Sequence, residues 1–578
     1  RLNYLRQNQN ALRVEKYTGL MDHLQNQALE AGVLPGKSVI LPSSFQGSPR
    51  NMQQNYQDAM AILRNYGKPD FFITMTCNPK WSEIVENLEE GQSPEFRPDL
   101  VARVFKLKLE ALMDDIGKKH VLGTPVANIH VIEFQKRGLP HAHILLILKT
   151  QDKPKDKTQD KPKDNEDIDK FICAEIPDIE INPRLHAIVT KHMVHGPCGV
   201  ENMNSPCMVD GKCSKDFPKP FQEETIQHFN GYPEYPRRNN GRTVVVRNKT
   251  IDNSWIVPYN PYFSLKYNCH INVESCASVK SMKYLFKYVY KGHDCANVVI
   301  QENALNHDEI KTFMDSRYVS APEAAWRLFG FNMHEQSHTI IRLPVHLPNE
   351  QHVYFNEHNI LQRMQQAAEK DTKLTAWFKL NQEHDTARTI LYSDIPKHYV
   401  FDEKHRKWNL RQRGAEKTIA RMYSVSLGAD PERFCLRLLL LHISGATSFE
   451  DLKTVNGVVH TTFKEAAMQC GLMNNDDTWE NTLDEAILCS MPKQLRELFA
   501  YICVFAVPAN AHDLYKKIKL NLCEDYVRRF RHLEDCNHCK NVTLLDIQNI
   551  LLLHGKNCRN FNLPTPTHDC SVYTARNV

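Results

Sequence analysis

With 578 residues the chain is longer than a single hydrophobic core usually supports, so two to four domains are expected. Hydrophobic residues at 42% and charged residues at 24% exclude a disordered or membrane-embedded chain, and no apolar run approaches the roughly 18 residues of a membrane helix, so no membrane partner is expected. A formal net charge of +4, from 72 Lys and Arg against 68 Asp and Glu, excludes a globally basic chain, and any nucleic-acid surface must come from local clusters.

Residues 1–66 read as a helical lead-in, because Tyr4, Leu5 and Leu12, then Leu20, Leu24 and Leu29, then Met60, Ile62 and Leu63 recur at helical spacing. A Pro and Gly break interrupts the pattern at 34–48. The opening at Arg1, inside this pattern, reads as a chain cut from a longer one. Pro35-Gly36-Lys37-Ser38 ends like a phosphate-binding loop, but Ala31 stands where that loop needs its first Gly, so the segment is expected to be a turn. Phe71, Phe72, Ile73, Met75 and Cys77 form an apolar run that stops at Asn78-Pro79, as a buried strand ended by a turn does. Thr74, Thr76 and Asn78 alternate along it, and a helix is expected from 98 to about 118.

Residues 127–134 and 141–148 are two strand-like segments whose short connection contains Gly138 and Pro140, which predicts an antiparallel hairpin. The polar stretch 149–156 is then repeated word for word at 157–164, and such a duplication cannot bury a core, so 149–168 is expected to be a disordered surface insertion. Residues 175–221 are loop-rich, with a Cys/His cluster at 192–213. Beyond it 262–274 reads as a strand and 278–291 as a helix. From 321 to 578 helical patterns dominate, at 324–329, 434–443 and 495–504, so a mainly helical C-terminal domain is expected there. The 17 Cys are scattered with no signal-peptide pattern ahead of them, which favours free thiols and metal ligands over disulfides.

Three constellations carry chemistry. One residue separates His141 from His143, so on a strand both imidazoles leave the same face. A half-exposed polar face has the same pattern; the sharper reading is a divalent cation, with Glu133 of the partner strand as third ligand and open positions for phosphate oxygens. At about 100° per residue on a helix, Tyr284 and Tyr288 share a face with Lys280, Lys287 and Lys291, while Met282, Leu285, Phe286 and Val289 lie opposite. Tyrosines at this spacing are also common as plain surface or core aromatics. The lysines beside them would attract a phosphate backbone, and a phenol can attack phosphorus to form a phosphotyrosine. Finally, His195, Cys198, Cys207 and Cys213 have the residue types and spacing of a tetrahedral zinc site, with His192 able to replace His195 and buried free Cys as the plainer alternative. Cys536 and Cys539, with His554 and Cys558, form a second, looser candidate.

The segments from Phe72 to Trp81, Glu133 to His143 and Tyr284 to Tyr288 occur in the order of the three motifs of rolling-circle replication initiators. More closely, Leu41-Pro-Ser-Ser-Phe-Gln-Gly-Ser-Pro-Arg50 and Arg342-Leu-Pro-Val-His-Leu-Pro348 resemble the Rep part of Helitron transposases, over most of 35–360. The resemblance implies an α+β HUH endonuclease domain at 67–320, with a central antiparallel sheet flanked by helices. It implies nicking of single-stranded DNA at transposon ends, a 5′-phosphotyrosine and a free 3′-OH, and work in the nucleus beside a helicase. His141 and His143 match the family's ligands for Mg or Mn, with Glu133 as the third and Gln135 as the fallback. Tyr284 and Tyr288 match its nucleophiles. Lys287 would hold the scissile phosphate or support the departing charge, and Lys280, Lys283, Lys291, Thr74, Thr76 and Asn78 would bind or position DNA. A viral or plasmid replication initiator would keep this chemistry, and a DNA-binding module that has lost it is the competing reading.

Overall fold

The computed structural model describes residues 13–18, 20–21, 37–38, 43, 45–134, 138–149, 166–200, 202–226, 233–246, 248–276, 319–355, 359–423, 425, 427, 430–473, 476–506, 508, 510–529 and 536–566. The chain divides into two compact units, 43–337 and 1–42 together with 338–578. Gln135, the helix read at 278–291 with Tyr284, Tyr288, Lys280, Lys283, Lys287 and Lys291, and nearly all of the duplicated stretch lie outside the described residues.

The unit 43–337 is built on a five-stranded antiparallel sheet. Its first helix, α1 (Pro49–Tyr66), starts where the Ser48 hydroxyl accepts from the Asn51 N–H with Pro49 in the first turn, and ends at Gly67, whose φ of 86° favours a residue without a Cβ. Strand β1 (Phe71–Thr76) follows, rich in aromatic and β-branched residues. Helix α2 (Pro98–Gly117) buries Val101, Phe105, Leu109, Leu112 and Ile116, one stripe at helical spacing. The hairpin β2 (Pro125–Phe134) and β3 (Pro140–Leu148) has the expected antiparallel register, with Glu133 opposite His141. Further along come α3 (Pro183–His192), α4 (Pro261–Tyr267), β4 (Ile271–Ser275), α5 (Ala321–Leu328) and β5 (His334–Gln336). The sheet order is β4-β1-β3-β2-β5.

Because strand side chains alternate, this register sorts the sheet into two faces. One face presents Phe71, Ile73, Met75, Ala142, Ile144, Ile132, Ile271 and Val273 to a core shared with α2 and Trp326 of α5. Trp326 lies 6.1 Å from Phe105 and from Phe134, ring centre to ring centre, and so ties α5 to α2 and to the hairpin. The opposite face carries Thr74, Thr76, His141, His143, Glu133 and Asn272.

Residues 262–274, read as one strand, are a helix followed by a strand. The Asn260 side chain caps the Phe263 N–H, Pro261 opens α4, and Asn268 ends it in the left-handed conformation, so local capping overrides the aromatic, strand-like composition. Two short strands also stand where the sequence reads as helix and turn. Arg13–Lys16 pairs antiparallel with both His352–Phe355 and Lys37–Ser38, and pairing with a strand remote in sequence leaves no local signature. The rest of that second unit is mainly helical. Pro431–His442, Pro492–Tyr501 and Ala511–Leu522 pack around Trp377, Trp479, Leu436, Leu439 and Phe499, with small sheets such as the parallel pair Thr339–Leu343 and Thr418–Met422. Among the described residues no helix is long and apolar enough to cross a membrane.

Candidate active site and metal centre

On β3 the two imidazoles leave the same face, 6.3 Å apart between ring centres and nearly parallel at 10°. Each is held from β1 by the threonine opposite it: Thr76 Oγ1 lies 2.9 Å from His141 Nδ1, and Thr74 Oγ1 lies 3.2 Å from His143 Nδ1. Phe72 stacks on His143 at 5.6 Å and 7°. With Nδ1 engaged, both rings turn Nε2 to the remaining space. From β2 the Glu133 carboxylate comes within 3.1 Å of His143 Nε2. Nε2 of His141 is buried and has no hydrogen-bond partner among the described residues.

Burial holds the His141 imidazole down, to about 3, with His143 and His270 adding to the effect and Glu133 opposing it. His141 is therefore neutral at physiological pH, the form a metal ligand requires. Two donors bound at about 2.1 Å and at right angles to one small cation sit roughly 3 Å apart, which is the separation of His143 and Glu133. Two imidazoles and a carboxylate, with the His141 Nε2 left without a partner among the described residues, fit a divalent cation. The three donors are more widely spread than a closed site.

Asn78, the last of the alternating polar residues and just beyond the end of β1, is buried and serves the backbone. Its Nδ2 donates to the Asn268 carbonyl at 2.7 Å, its Oδ1 accepts from the Lys80 N–H, and Trp81 Nε1 donates to the Tyr267 carbonyl at 2.6 Å. These bonds latch the end of β1 to the turn between α4 and β4. That turn brings in His270, whose Nδ1 lies 3.5 Å from Thr76 Oγ1 and which the sequence reading did not single out. The signal was present: His270, Asn272 and Glu274 alternate as Thr74 and Thr76 do.

The second site is the Cys/His cluster. His195, Cys198, Cys207 and Cys213 each offer a donor atom, and these atoms all lie within 4.8 Å of one another, the one such group among the described residues. His195 is anchored through its N–H to the Trp255 carbonyl at 2.9 Å and its ring stacks on Phe217 at 4.2 Å. Cys213 sits on a two-stranded hairpin, Met208–Val209 with Lys212–Cys213, whose turn residues Asp210 and Gly211 both have positive φ. Burial and the neighbouring thiols Cys213 and Cys207 push Cys198 up to about 12. Burial acts the same way on Cys213, but N–H groups of Phe217 and Lys215, together with the Cys198 and Cys207 thiols, outweigh it and hold that thiol below its ordinary value. Cys213 Sγ lies 3.5 Å from His195 Nε2, close to the edge of roughly 3.7 Å that a tetrahedron of zinc ligands has. The cluster can hold a metal ion such as zinc.

His192 is not part of it. That ring lies toward His270 and Asn268, with Nε2 buried and without a partner among the described residues. In the looser candidate, Cys539 and Cys558 are buried in the helical unit and join no such group among the described residues.

No curated protein matches the chain. Residues 1–146, which include β1, β2 and both histidines of β3, match the family described as the Helitron helicase-like domain at the N-terminus, and over this quarter of its length the chain is similar to that family.

Proposed function

We propose that the protein is an HUH-type endonuclease and strand transferase that nicks single-stranded DNA and remains joined to the 5′ end. The observation that carries this reading is the polar face of the sheet: two imidazoles oriented by two threonines, with the Glu133 carboxylate 3.1 Å from one of them. His141, His143 and Glu133 would hold Mg or Mn, with Gln135 as the alternative third ligand. A divalent cation bound there would polarise the scissile phosphate and offset the charge on the departing 3′ oxygen.

The chain's own residues do the rest. The phenol oxygen of Tyr284 or Tyr288 attacks phosphorus, the bond to the 3′ oxygen breaks, and the products are a 5′-phosphotyrosine and a 3′-OH. The second tyrosine can then accept another strand. Lys287 holds the scissile phosphate, while Lys280, Lys283 and Lys291 draw in the backbone without reading sequence. Thr74 and Thr76 act on DNA through the rings they hold, and Asn78 acts through the β1 end. A structural zinc at His195, Cys198, Cys207 and Cys213 supports the loop between α3 and α4.

The test is incubation with single-stranded oligonucleotides and Mn²⁺, followed by a search for an adduct that survives denaturation. Peptide mapping should place the phosphotyrosine at Tyr284 or Tyr288, and the doubly substituted Tyr284→Phe/Tyr288→Phe chain should form none. Retained DNA binding with no adduct on any sequence would identify a binding module without nuclease chemistry.

A further inference from the structure

Two rows of side chains cross the polar face of the sheet. One runs His270, Thr76, His141, Glu133 and the next runs Asn272, Thr74, His143, Val131, from β4 through β1 and β3 to β2. His270 immediately precedes β4 and is fixed against β1, since the Thr76 N–H donates to its carbonyl at 2.9 Å. In this first row the Thr76 hydroxyl lies between two imidazoles, 2.9 Å from His141 Nδ1 and 3.5 Å from His270 Nδ1. A hydroxyl has one proton and two lone pairs, so it can donate to one ring at most, and once it accepts from one ring its proton is free for the other.

The direction follows from the metal reading, on which this inference rests. A ligand nitrogen must be unprotonated, and Nε2 is the nitrogen of His141 without a hydrogen-bond partner among the described residues. The His141 proton then sits on Nδ1, which donates to Thr76, and the Thr76 hydroxyl donates onward to His270 Nδ1. We infer that His270 is a positioning residue that acts through Thr76 to lock His141 in its Nδ1–H form and so presents a bare Nε2 to a divalent cation. Outer groups that fix a ligand imidazole in this way commonly set metal affinity as strongly as the ligands themselves.

The second row supplies the contrast. Asn272 stands in the place of His270, but its Nδ2 donates to Glu274 and its Oδ1 meets no donor among the described residues, so Thr74 holds His143 with no onward acceptor. Among the described residues, the Thr76 and His270 pair serves His141 and has no counterpart in the second row.

The test uses the full chain labelled with ¹⁵N-histidine. In metal-free protein the His141 ring, identified by its loss in His141→Gln, is expected to show a protonated Nδ1 and a bare Nε2. Thr76→Val or His270→Leu should turn this single form into a mixture of tautomers. Thr76→Ser and His270→Gln, which keep a hydroxyl and an acceptor, should restore it, and circular dichroism should report an unchanged fold in all four. In Mn²⁺ titrations read by electron paramagnetic resonance, Thr76→Val and His270→Leu should each weaken binding about 10- to 100-fold. The double variant should be no weaker, because the two groups act in series. A His141 tautomer unmoved by Thr76→Val and His270→Leu, or affinity losses that add, overturns the relay. A parent chain that keeps the bare Nε2 yet binds no Mn²⁺ overturns the metal reading and leaves the relay standing.

Discussion

Glu133 and His143 meet at 3.1 Å, and replacing the carboxylate with an amide removes a charge while leaving the shape. Glu133→Gln is expected to lower Mn²⁺ affinity at least tenfold and to reduce adduct formation in step. Equal Mn²⁺ affinity in titrations would remove Glu133 from the ligand set and move attention to Gln135. At the cluster, Cys213 and His195 already stand 3.5 Å apart and Cys213 accepts from the Lys215 N–H. Cys213→Ser should drop bound zinc, read by elemental analysis of the purified chain, from about one equivalent to near zero, because three remaining ligands no longer close a tetrahedron. Zinc retained at one equivalent would mean that the metal sits elsewhere. His192→Ala should leave it unchanged.

At the scale of elements, the hairpin of β2 and β3 is what sets Glu133 opposite His141, and its connection passes through Gly138 at φ 84°. A Cβ there would stand 3.3 Å from Pro322 Cδ and 3.5 Å from Ser320 Cβ, at the start of α5. Gly138→Ala should cost about 1–2 kcal/mol from the left-handed backbone alone, and more where Pro322 cannot yield; urea midpoints compare the two chains. Helices α2 and α4 are joined by a buried carboxylate. Asp115 accepts from Lys266 at 2.6 Å, Tyr267 Oη at 2.5 Å and Lys119 at 2.8 Å, and despite the opposing effect of burial these bonds hold it below the usual carboxylate range. Asp115→Ala strands the Tyr267 hydroxyl and should destabilise the unit by roughly 2–4 kcal/mol, the lysines being exposed enough to regain water. A change below about 0.5 kcal/mol in the same urea series would show that water replaces the carboxylate.

For the unit 43–337 as a whole, several histidines are held neutral by burial. His130, His192 and His334 are each pushed down to about 4, against an ordinary value of 6.5. Between these values the unfolded chain binds protons that the folded unit does not, so stability falls as pH drops from 6.5 toward 4 and is fully present above 6.5. Urea midpoints at pH 7.5 and pH 5 should differ clearly. His130→Phe should shrink that difference by roughly 2 kcal/mol. A midpoint that does not move over this range would mean that these rings pick up protons without unfolding.

Much of this was legible in local pattern. A dense apolar run ended by Asn78-Pro79 marked β1, the short Gly/Pro connection between two strand-like segments marked the hairpin of β2 and β3, and one-residue spacing put His141 and His143 on one face, because side-chain direction on a strand depends on neighbours in sequence alone. Ligand types and spacing likewise marked His195, Cys198, Cys207 and Cys213. What only the tertiary structure decided depends on register between strands far apart in the chain. It chose His195 over His192 and made Arg13–Lys16 a strand. It also turned Thr74 and Thr76 toward the imidazoles, and it set His270 beside Thr76 across nearly two hundred residues. No local preference encodes which residue of one strand will face which residue of another, since that choice is made by the buried face of the sheet and the helices that cover it.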